Sequence, residues 1–247
     1  MKQRRLGFLL VLIPTTILAQ GGSIANFKLG SDASLAFARY VTSLDGRDPF
    51  TQAGPVAVEI EGSLPGLYKQ SGVLALRQTG ESGRPEHLVL RMEGDVTVIQ
   101  EVIVPYLRAL ADVDDLPQES VAVTPANYKF RYVGDLGSGE MLTYVFAVTP
   151  KKKRHGLLQG RLWIDARSGA AVLQTGHSLK PPSAAIRRID VVRETQFVDG
   201  LPCKRVTHVT FETRRVGRGE LTITEHRLFA AGEPAPSPSI GPSAVIR

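Results

Sequence analysis

The sequence predicts a mainly β fold with few helices, built as one antiparallel sheet. Three observations carry that expectation. Strand-like stretches recur between short turn signals from Asn127 to Phe229, and from Val56 onward apolar residues repeat with period two. The links between these stretches are also short, whereas a parallel pair needs a crossover of about a dozen residues or more.

Residues 1–19 read as an export signal. MKQRR places Lys2, Arg4 and Arg5 ahead of the apolar stretch Leu6 to Ala19, which ends in ILAQ before GGS, so cleavage is expected after Ala19. That stretch contains Pro14 and is shorter than the about 20 apolar residues a membrane helix needs. The mature chain is therefore expected to be periplasmic or secreted, with no transmembrane span. Losing the three cations with the signal halves the formal net charge of +6, a surplus too small and dispersed to indicate nucleic acid. Cys203 is the only cysteine, which excludes an internal disulfide, and no cysteine beside the cleavage point offers a lipid anchor.

Residues 20–55 are expected to hold an N-terminal helix and a linker. In SDASLAFARYVTSL, Phe37, Tyr40, Val41 and Leu44 fall at helical spacing behind Ser31 and Asp32. DGRDPFTQAGP then breaks the pattern with Gly46, Pro49, Gly54 and Pro55. VAVEIEG opens the sheet domain, expected over residues 56–230. LYKQSGVLALRQT and EHLVLRME form a hairpin around GESGRP, and GDVTVIQEVIV reads as a further strand. YLRALAD follows as a short helix starting after Pro105, because proline at the first helical position gives up a donor that had no partner anyway.

Seven strand candidates come next: NYKFRYVG, EMLTYVFAVT, LLQGRLWID, AAVLQTGHSLK, IRRIDVVRETQF, PCKRVTHVTFETRR and ELTITEHRLF. Residues 231–247, with Pro234, Pro236, Pro238 and Pro242 and no periodic apolar set, read as a disordered tail. ARSG, with Gly169 free to take a positive φ, is the expected turn after LWID, which sets Trp163 near a hairpin end. Leu142, Tyr144, Phe146 and Val148 share one strand face, as do Leu158, Leu162 and Ile164 on the next. The opposite face also carries apolar residues, so one face is expected under helices and the other open to another occupant, such as a ligand.

The order of these features, together with the motifs LWIDARSG and VDGLPCKRV, resembles the outer-membrane lipoprotein-sorting (LolA-like) superfamily over roughly residues 56 to 230. The resemblance implies a curved antiparallel half-barrel with a helical plug on its concave face. It implies an acyl-chain cavity between sheet and helices, used by carriers and by sensor-type members. No residue of the carriers' latch matches here position by position, so no family site residue is carried over. On this reading Leu142, Tyr144, Phe146, Leu162 and Ile164 would line the cavity. Burying a methylene is worth about 0.8 kcal/mol, so ten of them would give roughly 8 kcal/mol before ordering losses, with no polar recognition motif needed. The same five residues also read as plain core under a helix.

Catalytic vocabulary is sparse. GxSxG, the Walker loop, HExxH and paired cysteines do not occur, no cofactor is implied, and the chain reads as a non-enzyme. Folding ELTITEHRLF back about Gly217 would set His208 opposite His226, where two imidazoles could share a metal, but no third ligand is specified. A solvated pair is the simpler reading, and a hydrolase built on the two is the third function considered. Lys151, Lys152, Lys153 and Arg154 form a basic turn suited to anionic head groups or to blocking edge pairing; Arg187/Arg188 and Arg214/Arg215 are further basic pairs. Asp114 and Asp115 read as loop solubilisers. The expected function is non-covalent binding of lipid or lipoprotein acyl chains, as carrier or lipid-handling factor. The alternative is an envelope sensor or assembly factor that binds protein, with the cavity only a core.

Overall fold

The computed structural model describes residues 31–44, 50, 54–80, 85–114, 116–180 and 186–228. The expected signal and tail lie outside them. Ten strands form one sheet: β1 Val56–Leu64, β2 Lys69–Thr79, β3 Pro85–Gly94, β4 Tyr128–Leu136, β5 Thr143–Pro150, β6 Leu158–Asp165, β7 Ala171–Ser178, β8 Ile186–Val198, β9 Leu201–Thr213 and β10 Gly217–Arg227. Their order is β3-β2-β1-β10-β9-β8-β7-β6-β5-β4. Every pairing is antiparallel, and the sheet stays open, with β3 and β4 at its edges.

All large buried side chains but one follow a single face. The register sets Val73, Ile60, Ile223, Thr207, Arg193, Gln174, Leu162, Phe146 and Tyr132 in one row across nine strands. Val145 is the exception: it is buried on the other face, opposite Trp163, which in turn opposes Leu173. Two inward glycines let the sheet curl. A Cβ on Gly160 would stand 2.0 Å from the Thr175 carbonyl oxygen, and one on Gly176 2.7 Å from that of Gln159. The result is the curved half-barrel, with helices against its concave side.

Those helices reach the concave side because the two edge strands are consecutive in sequence. Ten strands span roughly 43 Å at about 4.8 Å each, and the β3–β4 connection must cross that width. It does so as α2 Val96–Val98, a π-helical turn Ile99–Ile103, α3 Val104–Asp114 and α4 Gln118–Val121. The strand expected at GDVTVIQEVIV is thus helical, and Pro105 lies inside the helix rather than at its start. Asp95 explains the start: its carboxylate accepts the Thr97 N–H at 2.7 Å, capping the first turn. The bonds to Thr97, and then Lys69, hold the Asp95 carboxyl below its usual range. Proline inside a helix loses a donor and strikes the carbonyl four residues back. The wider π turn, in which Val104 N–H bonds the Ile99 carbonyl, shifts that carbonyl pattern just before Pro105. Packing of Val98, Val102 and Ile103 on the sheet outweighs the strand preference of this β-branched run.

The other helix, α1 Ser31–Leu44, forms where the sequence places it and covers the β4–β6 end. Ala36, Phe37 and Tyr40 enter a cluster with Tyr128, Phe146, Leu162 and Ile164. Its seat is the LWIDARSG turn. The Asp165 carboxylate accepts the Ser168 N–H at 2.7 Å and its hydroxyl at 2.6 Å, while Arg39 donates to the Arg167 carbonyl at 2.8 Å. Gly169 has φ +75°, and a Cβ there would meet Arg39 Cβ at 2.6 Å and Tyr40 N at 2.9 Å. Gly169→Ala is therefore expected to cost about 2 kcal/mol or more, of which about 1 to 2 is the left-handed backbone alone. Gly200→Ala is the control, since Gly200 has φ +77° with nothing within 4 Å. Thermal melts should show the larger loss at Gly169; equal losses would mean that α1 is not seated there.

Candidate functional site

The concave face is not apolar throughout. Toward the β3 edge, β1 and β2 present Val58, Ile60, Val73 and Ala75; toward the β4 edge stands the aromatic cluster under α1. Between them the inward positions turn polar. Arg77 from β2, Arg193 from β8, Arg205 from β9 and Glu225 from β10 come together, with Thr207 and Gln174 nearby in the register. Each strand contributes at an ordinary alternating position, as in Leu221, Ile223 and Glu225 on β10 or Phe211, Val209, Thr207 and Arg205 on β9.

Arg77 donates to Glu225 Oε1 at 2.6 Å, with the two side chains only 13% and 10% exposed. It also donates to the Phe50 carbonyl at 3.3 Å. Arg205 reaches Glu225 Oε2 at 3.8 Å, and its guanidinium lies 4.6 Å from the centroid of the buried Phe50 ring. Arg193 donates to the Thr207 hydroxyl at 3.3 Å. On β3, withdrawal of the His87 ring from water, and then the charge of Arg77, hold its pKa below the usual histidine value even though much of the residue remains exposed. Tyr128, at the other side of Arg193, is pushed up by burial, against smaller opposing pulls from the Leu158 N–H bond and from Arg193.

These charged groups form one end of a cavity of about 120 Å³. Val58, Ile60, Val73, Ala75 and Ile223 make its floor, Tyr106 and Leu107 of α3 its roof, and Val89 of the edge strand its outer lip. An engineered apolar cavity of about 150 Å³ holds benzene, so this one has room for a group of about that size or slightly smaller. Val89 and Met92 lie on the cavity side of β3, opposite Ala75 and Val73, while Leu88, opposite Leu76, is exposed on the other face.

The residues singled out in the sequence fall elsewhere. Tyr144, Phe146, Leu162 and Ile164 are buried together beneath α1, with Leu142 packed at their margin. Phe37 stacks near Phe146 and Phe130, with ring centroids 5.1 and 4.9 Å away. None of the five borders the cavity. Lys151, Lys152, Lys153 and Arg154 are exposed on the β5–β6 turn, where Lys151 donates to the Pro125 carbonyl.

His208 and His226 do not face one another. The register pairs His208 with Thr222 and His226 with Lys204. The β9–β10 turn is Arg214 to Val216 with Gly217 at its end, where φ is +74°, and not a reversal centred on Gly217. Thr213 fixes it, its hydroxyl accepting from Val216 N–H and donating to the Gly217 carbonyl, both at 3.1 Å. His208 Nδ1 instead lies 3.1 Å from the Thr222 hydroxyl. Among the described residues there is no cluster of three metal-binding side chains. The residues that sequence reading missed are Arg77, Arg193, Arg205 and Glu225, whose shared property appears only once the register is known.

No family model matches the chain, and no curated protein matches it. Among solved structures, a LolA superfamily protein from Nitrosomonas europaea is similar over 79% of this chain and 94% of its own, with 10% identity and a TM-score of 0.35. The MucA/MucB complex of Pseudomonas aeruginosa is similar over 79% of this chain and 93% of the matched one, with 13% identity and a TM-score of 0.24.

Proposed function

We propose that this chain is an exported periplasmic protein that holds an acyl chain non-covalently beneath α3, acting as a carrier or lipid-handling factor and not as an enzyme. The observation that carries this reading is the cavity with an apolar floor and roof and an apolar outer lip at β3. Burial of hydrocarbon alone would supply affinity there. No helix among the described residues is long and apolar enough to cross a membrane. The exposed Lys151 to Arg154 turn would meet anionic head groups when the protein visits a membrane surface. Denaturing mass spectrometry of freshly purified protein is expected to release lipid. Protein that carries none, and that also fails to take up an added fluorescent fatty acid, would refute the reading.

A second reading, an envelope sensor or assembly factor that binds a protein, is favoured by the β3 edge itself. Leu88, Leu90 and Met92 are 45–58% exposed beside a backbone that pairs only with β2. Such an edge accepts an added strand from a partner. A proline at position 90 would block strand addition, and partner binding unchanged by it would refute this second reading.

A further inference from the structure

We infer that Arg193, flanked by Arg77 and Arg205, receives the anionic oxygen group of a single-chain amphiphile, a carboxylate or a phosphate, whose hydrocarbon lies on Val58, Ile60, Val73 and Ala75. This rests on the acyl-chain reading above and goes beyond it by naming the head group and its place.

Among the described residues Arg193 faces the cavity without a carboxylate partner. Glu225 is already engaged by Arg77 at 2.6 Å and lies 3.8 Å from Arg205. Arg193 points inward at the middle of the sheet, half-buried, and its one hydrogen bond among the described residues goes to the neutral Thr207 hydroxyl. No carboxylate among the described residues pairs with it. A guanidinium drawn out of water gains most from an anion that accepts two parallel N–H bonds, which carboxylate and phosphate both do. Phe50 holds the Arg205 guanidinium against its ring, so part of the receiving surface is preset.

Polarity also runs in the right direction for an amphiphile. Along the row Val73, Ile60, Ile223, Thr207, Arg193, the floor passes from apolar at the β2 side to cationic at β8. A head group at Arg193 therefore directs its chain toward the apolar β3 lip. A neutral ester of the same chain would bury the same hydrocarbon but leave the guanidinium unanswered. A cationic amphiphile would be repelled.

The test compares cis-parinarate with its methyl ester by polyene fluorescence, on the full chain and on Arg193→Gln and Arg193→Lys. The intact protein is expected to bind the acid about ten-fold or more tightly than the ester. Arg193→Gln should bring that ratio near one while ester affinity holds, and Arg193→Lys should keep part of it. Competition by decyl phosphate against decanoate then tells which head group is preferred; displacement by either supports the site. Equal binding of acid and ester by the intact protein overturns this inference and leaves the acyl-chain reading standing, as does an undiminished preference in Arg193→Gln. Binding of neither probe overturns this inference, and where the protein also carries no co-purified lipid it overturns the acyl-chain reading too.

Discussion

Glu225→Gln is expected to lower the free energy of unfolding by about 3 to 5 kcal/mol, the usual cost of removing one partner of a buried ion pair. The carboxylate holds Arg77 at 2.6 Å and faces Arg205 at 3.8 Å, with both sides of the closer pair nearly out of water. Its neutral isostere keeps the shape, so two guanidiniums would confront each other with no carboxylate between them. Urea denaturation measures the loss. The double variant Arg77→Met/Glu225→Leu should lie closer to the parent than Glu225→Gln does, because removing both partners spares the site an uncompensated charge. A single-variant loss under about 1 kcal/mol would mean that solvent reaches the pair and screens it.

Phe146→Ala should cost a similar amount, about 3 to 5 kcal/mol, by leaving a cavity at the centre of the α1 cluster. Phe146 is 2% exposed and touches rings on both sides: Phe37 of α1 at 5.1 Å and Tyr132 at 5.7 Å, the latter edge-on. The damage should also be directional. Phe37 loses one of its two ring neighbours on the sheet, keeping Phe130 at 4.9 Å, so amide exchange over residues 34–44 is expected to quicken more than exchange in β1 and β10. Uniform acceleration through the sheet would contradict the separate seating of α1.

The strands were legible because each side chain reports its own alternation and each turn carries its own residues. All seven expected after Asn127 are present as β4 to β10, and the ARSG turn closes with Gly169 at positive φ. Residues 96–104 were not legible as helix. Their β-branched content favours a strand, and only Asp95 signalled a helical start; the decision came from the sheet face beneath Val98, Val102 and Ile103. Register was harder still. A shift of the β9–β10 turn by two residues moves the partner of His208 from His226 to Thr222. The charged centre was hidden for the same reason: Arg77 and Glu225 are 148 residues apart, and each looks like an ordinary polar member of its strand. Leu142, Tyr144, Phe146, Leu162 and Ile164 share one face, as their alternation implies, but what covers that side, α1, depends on how the chain folds back over it.

The join between β1 and β10 divides the sheet into two zigzags, β1 to β3 and β4 to β10, each made only of neighbours in sequence. Local hairpins form quickly, whereas contacts between distant parts of a chain wait on a slow search. Assembly should therefore proceed as two prefabricated pieces that mate late along one line, from Val56 against Arg227 to Ser63 against Glu220. The Arg77–Glu225 bridge ties the two pieces across that line, so the charged centre is completed only when they have mated.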